Sequence, residues 1–241
     1  GSRARQISRR VIKAFLEWAV LNGKLPAVYA PPPLSAIPNI LNKKKIGYAL
    51  SDLQILSLIE DEPDEKWKYV YQLLATFGLR PAELEYLVVK DDGQGEEVWS
   101  MYEKSMGGKK GERTEPRELC PLPLIGANGK AVYFKLLERI KLGEDLPYLG
   151  RGGEVAMTMN TRFRRWDLWQ RYRKEAEKIK QVCVPYSFRH RYAKASHSKG
   201  FPIPNIAESM GHTPEVHMQN YARFKPSGTK EMYKKANELA A

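Results

Sequence analysis

Apolar residues recur along this chain at two different periods, and the places where one gives way to the other divide it. Between Ser8 and Leu21, Ile12, Phe15, Leu16 and Ala19 fall at helical spacing, with Gly23 as a stop. The stretch Leu25–Lys45 breaks every period: Pro26, Pro31, Pro32, Pro33 and Pro38 precede Lys43-Lys44-Lys45. Proline fixes φ and lacks an N–H, so this segment is predicted to be an extended linker. Helical spacing resumes behind Ser51-Asp52, an N-cap candidate, with Leu53, Leu56 and Ile59 on one face. Trp67–Phe77 reads as a second, buried helix closed by Gly78, and Pro81–Leu87 as a third with proline in its first turn. Strand-like runs follow at Glu97–Glu103 and Thr114–Leu119, joined by the turn-rich Ser105–Gly111. Helical patterns return in Ala131–Ile140, Thr161–Ile179, Ser187–Ser198, Ile203–Ser209 and Thr229–Ala240. The expected fold is mainly α with a small antiparallel β-sheet, of the α+β class.

Three regions follow from this pattern: residues 1–24, a linker over 25–47, and a main domain over 48–241. A lone helix ahead of a linker has nothing to pack its apolar face on. It is expected to be the last helix of a truncated domain. Gly1-Ser2 reads as a cloning remnant, so the chain is expected to start inside a larger protein.

Composition adds a partner to this picture. Lys+Arg number 40 against 28 Asp+Glu, a formal net charge of +12, which favours a polyanion such as nucleic acid or an anionic membrane. Membrane binding is the weaker option: the best apolar stretch, Val11–Leu21, is interrupted by Lys13 and Glu17 and is far shorter than a bilayer span. No charged-then-apolar leader opens the chain, and Cys120 and Cys183 carry no disulfide or metal spacing. Both observations favour a reducing, cytoplasmic setting. His212 and His217 are five apart, outside the i, i+4 spacing of helical metal ligands, so no metal site is expected.

Candidate chemistry lies in segments far apart in sequence. Gly78-Leu79-Arg80-Pro81-Ala82-Glu83-Leu84 places an arginine at a helix start. Pro185-Tyr186-Ser187-Phe188-Arg189-His190-Arg191-Tyr192-Ala193 carries a second candidate arginine, and Met210-Gly211-His212 is followed nine residues after the histidine by Tyr221. Their order and final interval resemble the tyrosine recombinases, the phage-integrase family. That family shares a Gly-Leu-Arg-x-x-Glu-Leu segment, a His-x-x-Arg segment, and a Gly-His followed by a tyrosine. The resemblance covers Tyr48 to the C-terminus, and the first helix resembles the end of the family's core-binding domain.

The resemblance implies a catalytic domain that cuts and rejoins DNA strands through a covalent 3′-phosphotyrosyl intermediate, with no metal, ATP or other cofactor. Tyr221 is then the nucleophile, Arg80 and Arg189 clamp the phosphate oxygens, and His212 adds a hydrogen bond. The family draws the leaving group's proton from a lysine of the first hairpin. Lys104, at the end of the first strand, is the choice here, and Lys109 and Lys110 are expected to lie near DNA. The sequence departs from the pattern at Tyr186, which stands where the family has histidine: the match in position implies a place among the catalytic residues, but with an unperturbed pKa of about 10 it makes a poor proton shuttle. His190 does not restore the motif, because Ala193 follows it at the arginine position, and it is expected to make a structural hydrogen bond. The helix between the hairpin and the second arginine enters the major groove in the family, so Arg162, Arg164 and Arg165 are expected to touch DNA. The partner implied is double-stranded DNA, with a homotetramer assembled through a C-terminal tail helix carrying Met232, Tyr233, Ala236 and Leu239, and a monomer in isolation. A type IB topoisomerase and a non-catalytic DNA-binding regulator on the same fold are the alternatives. A bacterial or phage origin is expected.

Overall fold

The computed structural model describes residues 3–33, 36, 45–91, 93, 95–104, 113–150, 154–224, 228, 230, 233–234 and 237–238. The chain divides into two compact units, Gly1–Lys45 and Ile46–Ala241. Among the described residues of the first unit, α1 (Arg3–Leu21) is followed by a 3-10 turn at Ala27–Tyr29. Phe15 and Trp18 stack along α1, with ring centroids 6.3 Å apart.

The second unit is mostly helical. It begins with β1 (Ile46–Gly47), then α2 (Asp52–Asp61) and α3 (Glu65–Phe77). Ser51 starts α2 through a capping box: its hydroxyl accepts from the Gln54 amide, and the Gln54 side chain accepts from the Ser51 amide at 2.9 Å. Asp64 caps α3 with its carboxylate, accepting from the Lys66 and Trp67 amides. Every residue of α3 from Tyr69 to Phe77 is buried, which makes it the central helix of the unit. Each large apolar side chain removed from water there contributes about 1.5–3 kcal/mol.

A three-stranded antiparallel sheet follows, β2 (Leu87–Asp91), β3 (Glu96–Ser100) and β4 (Arg117–Glu118) in that order, and then a short hairpin, β5 (Leu124–Ile125) and β6 (Ala131–Val132). The remaining elements are α4 (Leu136–Lys141), α5 (Val155–Phe163), α6 (Asp167–Lys178), β7 (Gln181–Val182), α7 (Ser187–Ser198), α8 (Ile203–Ser209), α9 (Pro214–Tyr221) and a 3-10 turn at Ala222–Phe224. β7 pairs in parallel with β1. Rings join the helices of the core: Tyr71 of α3 stacks on Phe188 of α7 at 5.7 Å, and Phe163 of α5 on Trp169 of α6 at 3.8 Å.

Several sequence expectations need correction. The Pro81–Leu87 helix is a 3-10 turn, Pro81–Tyr86, running straight into β2, a strand the pattern did not reveal. Ala131–Ile140 is not one helix, because Gly129 (φ +74°) turns the chain so that Ala131 and Val132 pair with β5 before α4 begins. The helix expected over Thr161–Ile179 is two helices. The break falls where the Trp166 ring packs on Tyr71 at 5.5 Å and its Nε1–H donates to Asp61 at 2.6 Å. That tertiary contact outweighs the continuous helical period. In the expected tail helix, Lys230, Tyr233, Lys234, Asn237 and Glu238 are helical; Met232, Ala236 and Leu239 lie outside the described residues.

Candidate active site

The Gly-Leu-Arg segment turns sharply at the end of α3. Gly78 is left-handed (φ +60°), and a Cβ there would sit 2.5 Å from the Tyr192 ring. Glycine is therefore required both by the backbone and by the ring beneath it. Arg80 precedes proline and is extended (φ −72°, ψ 143°), as the proline ring dictates. The Glu83 carboxylate folds back on it, accepting from the Arg80 amide at 2.6 Å and from its Nη1 at 2.7 Å.

Glu83 is completely buried and is the hub of the site. Arg117, on β4, donates to it from Nη1 at 2.7 Å and Nη2 at 3.1 Å, and Arg189 Nη1 lies 3.9 Å away. Burial alone would raise the Glu83 pKa. The Arg117 hydrogen bonds and the charges of Arg117, Arg189 and Arg80 outweigh it and hold the carboxyl at about 2. Three guanidiniums against one carboxylate leave the cluster positive, poised for an anion.

The same arginines tie the Gly-His segment to the rest. Arg80 Nη2 donates to the Gly211 carbonyl at 2.6 Å, and Arg117 Nε to the Ser209 carbonyl at 3.0 Å. Arg189, buried on α7, donates to the Gly78 carbonyl at 2.7 Å, to the Met210 carbonyl, and to His212 Nδ1 at 3.1 Å. Gly211 is left-handed (φ +64°), and a Cβ there would meet the Arg117 guanidinium at 2.8 Å. His212 Nε2 lies 2.9 Å from His217 Nδ1, so both of its ring nitrogens have protein partners. Burial, then the positive charge of Arg189, pulls the His212 pKa down to about 3, which keeps the ring neutral at pH 7.

Tyr221 closes α9, a helix capped by the Thr213 hydroxyl and started by Pro214. His217 and Tyr221, one turn apart, both face inward. The Tyr221 ring is only 5% exposed and stacks on His212 at 5.7 Å with 14° between planes. It belongs to a small apolar cluster with Leu122, Tyr192, Ala193, Ile206 and Met210. Arg80, Arg189, His212 and Tyr221 thus come together from four separate elements.

The other expected residues fare differently. Tyr186 stands just ahead of α7, 38% exposed, with its pKa raised first by burial and in electrostatic reach of Arg189, Arg80 and Tyr221. Lys104 is exposed where β3 leaves the sheet, its amide and carbonyl paired with Thr114 at 2.9 Å each. Among the described residues no hydrogen bond or ion pair ties its ammonium to the arginine cluster. Lys109 and Lys110 lie outside the described residues. Arg162 is turned inward, paired with the buried Glu62 and 4.9 Å above the Trp67 ring, whereas Arg164 and Arg165 are exposed.

The hydrogen bond expected of His190 is absent at Nδ1, which is buried without a partner. Its ring instead presses on Gly47, where a Cβ would meet Nε2 at 2.0 Å. Burial first, then Arg223 and Arg189, lowers its pKa to about 4. Arg117 was missed. The signal was present, because in a strand it shares a face with the buried Leu119, and a charged residue on an inward face calls for a partner.

Among the described residues, no group of three or more His, Cys, Asp or Glu side chains is arranged to hold a metal ion, and no helix is long and apolar enough to cross a membrane.

No protein-family model matches the chain. Similar curated proteins include Excisase C of Nostoc sp. (strain PCC 7120), 31% identical over 173 residues, 69% of this chain. Excisase A of the same organism is 28% identical over 175 residues, 68% of this chain. The chain spans about a third of these relatives, 31% and 33% of their lengths. Similar solved structures include the Tn1549 transposon integrase in complex with a circular intermediate DNA, at 14% identity and a TM-score of 0.48, covering 100% of this chain and 80% of that one. XerA recombinase is 18% identical with a TM-score of 0.46, covering 93% and 81%. The chain's three ordered motifs and the arginine cluster they build beside Tyr221 resemble the catalytic domain of the tyrosine recombinases, and its sequence is 31% identical to Excisase C over 173 residues.

Proposed function

We propose that this chain cuts and rejoins double-stranded DNA at specific sites, in recombination of the kind that the name excisase denotes. The observation that carries the reading is the convergence of Arg80, Arg189, His212 and Tyr221, joined through Glu83 and the Gly211 loop. The Tyr221 oxygen attacks the phosphorus, its O–P bond forms, and the bond to the 5′ oxygen breaks. That oxygen leaves as a hydroxyl, its proton supplied by Lys104. A 5′-hydroxyl from another strand then reverses the step, so the bond energy is kept without metal or nucleotide. Arg80 and Arg189 stabilise the charge on the non-bridging oxygens, where losing one fixed donor costs about 10²–10³ in rate.

Arg164 and Arg165, exposed on the α5–α6 connection, are the side chains suited to DNA phosphates, and Lys109 and Lys110 are assigned the same role from the sequence. Residues 1–24 are read as the end of a core-binding domain, residues 25–47 as a linker, and the C-terminal tail as a helix docked on a neighbouring protomer in a DNA-bound tetramer.

Covalent trapping tests the reading. A pool of nicked duplexes with a randomised centre is incubated with the protein in EDTA, and adducts that survive denaturant are recovered and sequenced. Adducts enriched for one site, and lost in Tyr221→Phe, are expected. No adduct, or one unchanged in Tyr221→Phe, refutes the mechanism; adducts on every sequence alike point to a topoisomerase.

A further inference from the structure

Three histidines run in line from the arginine cluster into the interior. His212 Nε2 lies 2.9 Å from His217 Nδ1, and His217 Nε2 lies 2.9 Å from His197 Nε2. His217 is fully buried and His197 is 4% exposed, so the line is sheltered from water for most of its length.

One residue fixes every proton in it. A guanidinium can only donate. Arg189 therefore donates to His212 Nδ1, which leaves the His212 proton on Nε2. That N–H donates to His217 Nδ1, which places the His217 proton on Nε2. That proton in turn faces His197 Nε2, so His197 carries its own on Nδ1. The chain has one sense throughout.

We propose, resting on the strand-cutting reading above, that His217 and His197 act as relay residues: with His212 they form a directional proton chain that accepts the proton Tyr221 loses on attack and returns it on rejoining. The chain fills a gap in the motif, since the histidine position is held by Tyr186. When phosphate oxygens engage Arg189, His212 Nδ1 is released and takes the Tyr221 proton. The Nε2 proton of His212 passes to His217 Nδ1, the Nε2 proton of His217 passes to His197 Nε2, and His197 gives up its Nδ1 proton to solvent. One proton enters and one leaves, no ring keeps a charge, and every tautomer is reversed. Rejoining regenerates tyrosinate, which draws the proton back and resets the chain. A reversible strand exchange thus restores its own catalyst.

The electrostatics support this use. Burial first, then the charge of neighbouring groups, lowers the His212 pKa to about 3 and that of His217 to about 4, and burial lowers that of His197. The groups that face them are Arg189 from α7, Arg80 from the α3 turn, Arg117 from β4, and the Tyr221 ring. The rings accordingly start neutral at pH 7 and can pass a proton without storing one.

The test compares wild type, His217→Asn, His217→Ala and His197→Gln for initial adduct formation between pH 6 and 8.5, on the duplex that wild type selects from the randomised nicked pool. Asparagine keeps an acceptor toward His212, so the Arg189-fixed tautomer survives, but it cannot pass a proton on. Expected is a loss of about 10²-fold in both His217 variants and in His197→Gln. Their residual rates should rise with pH where wild type is flat, and imidazole buffer should partly restore His217→Ala. Melting curves and DNA affinity should stay near wild type in His217→Asn. His217→Asn cutting within threefold of wild type, with the wild-type pH profile, overturns the chain and leaves strand cutting standing. No adduct from wild type itself overturns both.

Discussion

Replacing Glu83 with glutamine keeps shape and removes one charge from beneath three guanidiniums. The carboxylate accepts from the Arg80 amide and Nη1 and from Arg117 Nη1 and Nη2, at 2.6 to 3.1 Å, while fully buried. A carboxyl held at about 2 instead of 4.5 contributes roughly 3 kcal/mol at neutral pH, at about 1.4 kcal/mol per pH unit. Removing one partner of a buried ion pair costs about 3–5 kcal/mol, so the two routes agree. Because the folded-state pKa is depressed, this stability is present in full above pH 4.5 and is lost as pH falls toward 2. Urea titrations of wild type and Glu83→Gln from pH 7.5 to 3.5 should differ by about 3–4 kcal/mol, a gap constant to pH 5 and narrowing below 4.5. Taking the difference cancels the other titrating groups. A gap under about 1 kcal/mol at pH 7.5, or one that does not narrow in acid, would refute the hub assigned to Glu83.

Acid should act on the histidines earlier. His190, His212 and His217 have folded-state pKa values of about 4, 3 and 4, well below their usual 6.5, so the unfolded chain binds protons first. Stability should therefore fall as pH drops from 6.5 toward 4, each such histidine adding up to about 1.4 kcal/mol per pH unit; a flat profile from pH 7 to 5 in urea titrations contradicts this. Arg162→Met strips the buried Glu62 of its guanidinium and should cost about 3 kcal/mol, against under about 0.5 for the exposed Arg165→Met, with equal losses by chemical denaturation counting against a structural Arg162. Tyr186→Phe should change adduct formation at pH 7.5 by less than threefold, since burial keeps that hydroxyl protonated; a hundredfold loss would place it in proton transfer after all.

What could be read from the sequence was whatever leaves a local mark. Ser51 and Gly78 announce helix ends through their own side chain or backbone freedom, and α7 and α8 match their expected bounds, whereas α9 showed no pattern in the sequence. The motif residues were identifiable because Arg80, Arg189, His212 and Tyr221 keep a family order. Pairwise geometry left no local trace. Nothing near Trp166 in sequence reveals that Tyr71 and Asp61 will split its helix, and nothing near Arg162 names Glu62, 100 residues away. The histidine line was hidden for the same reason: His197 and His217 are 20 apart and sit on different helices. Short strands such as β1 and β7 are two residues each, too brief to show any period.

The hydrogen bonds that build the site span long stretches of chain: Arg189 to Gly78 bridges 111 residues and Arg80 to Gly211 bridges 131. Closing loops of that size costs entropy before any contact returns it, so contacts of such high order form late in folding. A ribosome-bound chain that has emerged as far as α6 already holds the Gly-Leu-Arg segment and the sheet, but neither Arg189, His212 nor Tyr221. A chain that ends before Tyr221 cannot assemble the cluster. Whatever chemistry the site performs is withheld from the nascent chain until α7 and α9 dock, a safeguard written into topology alone.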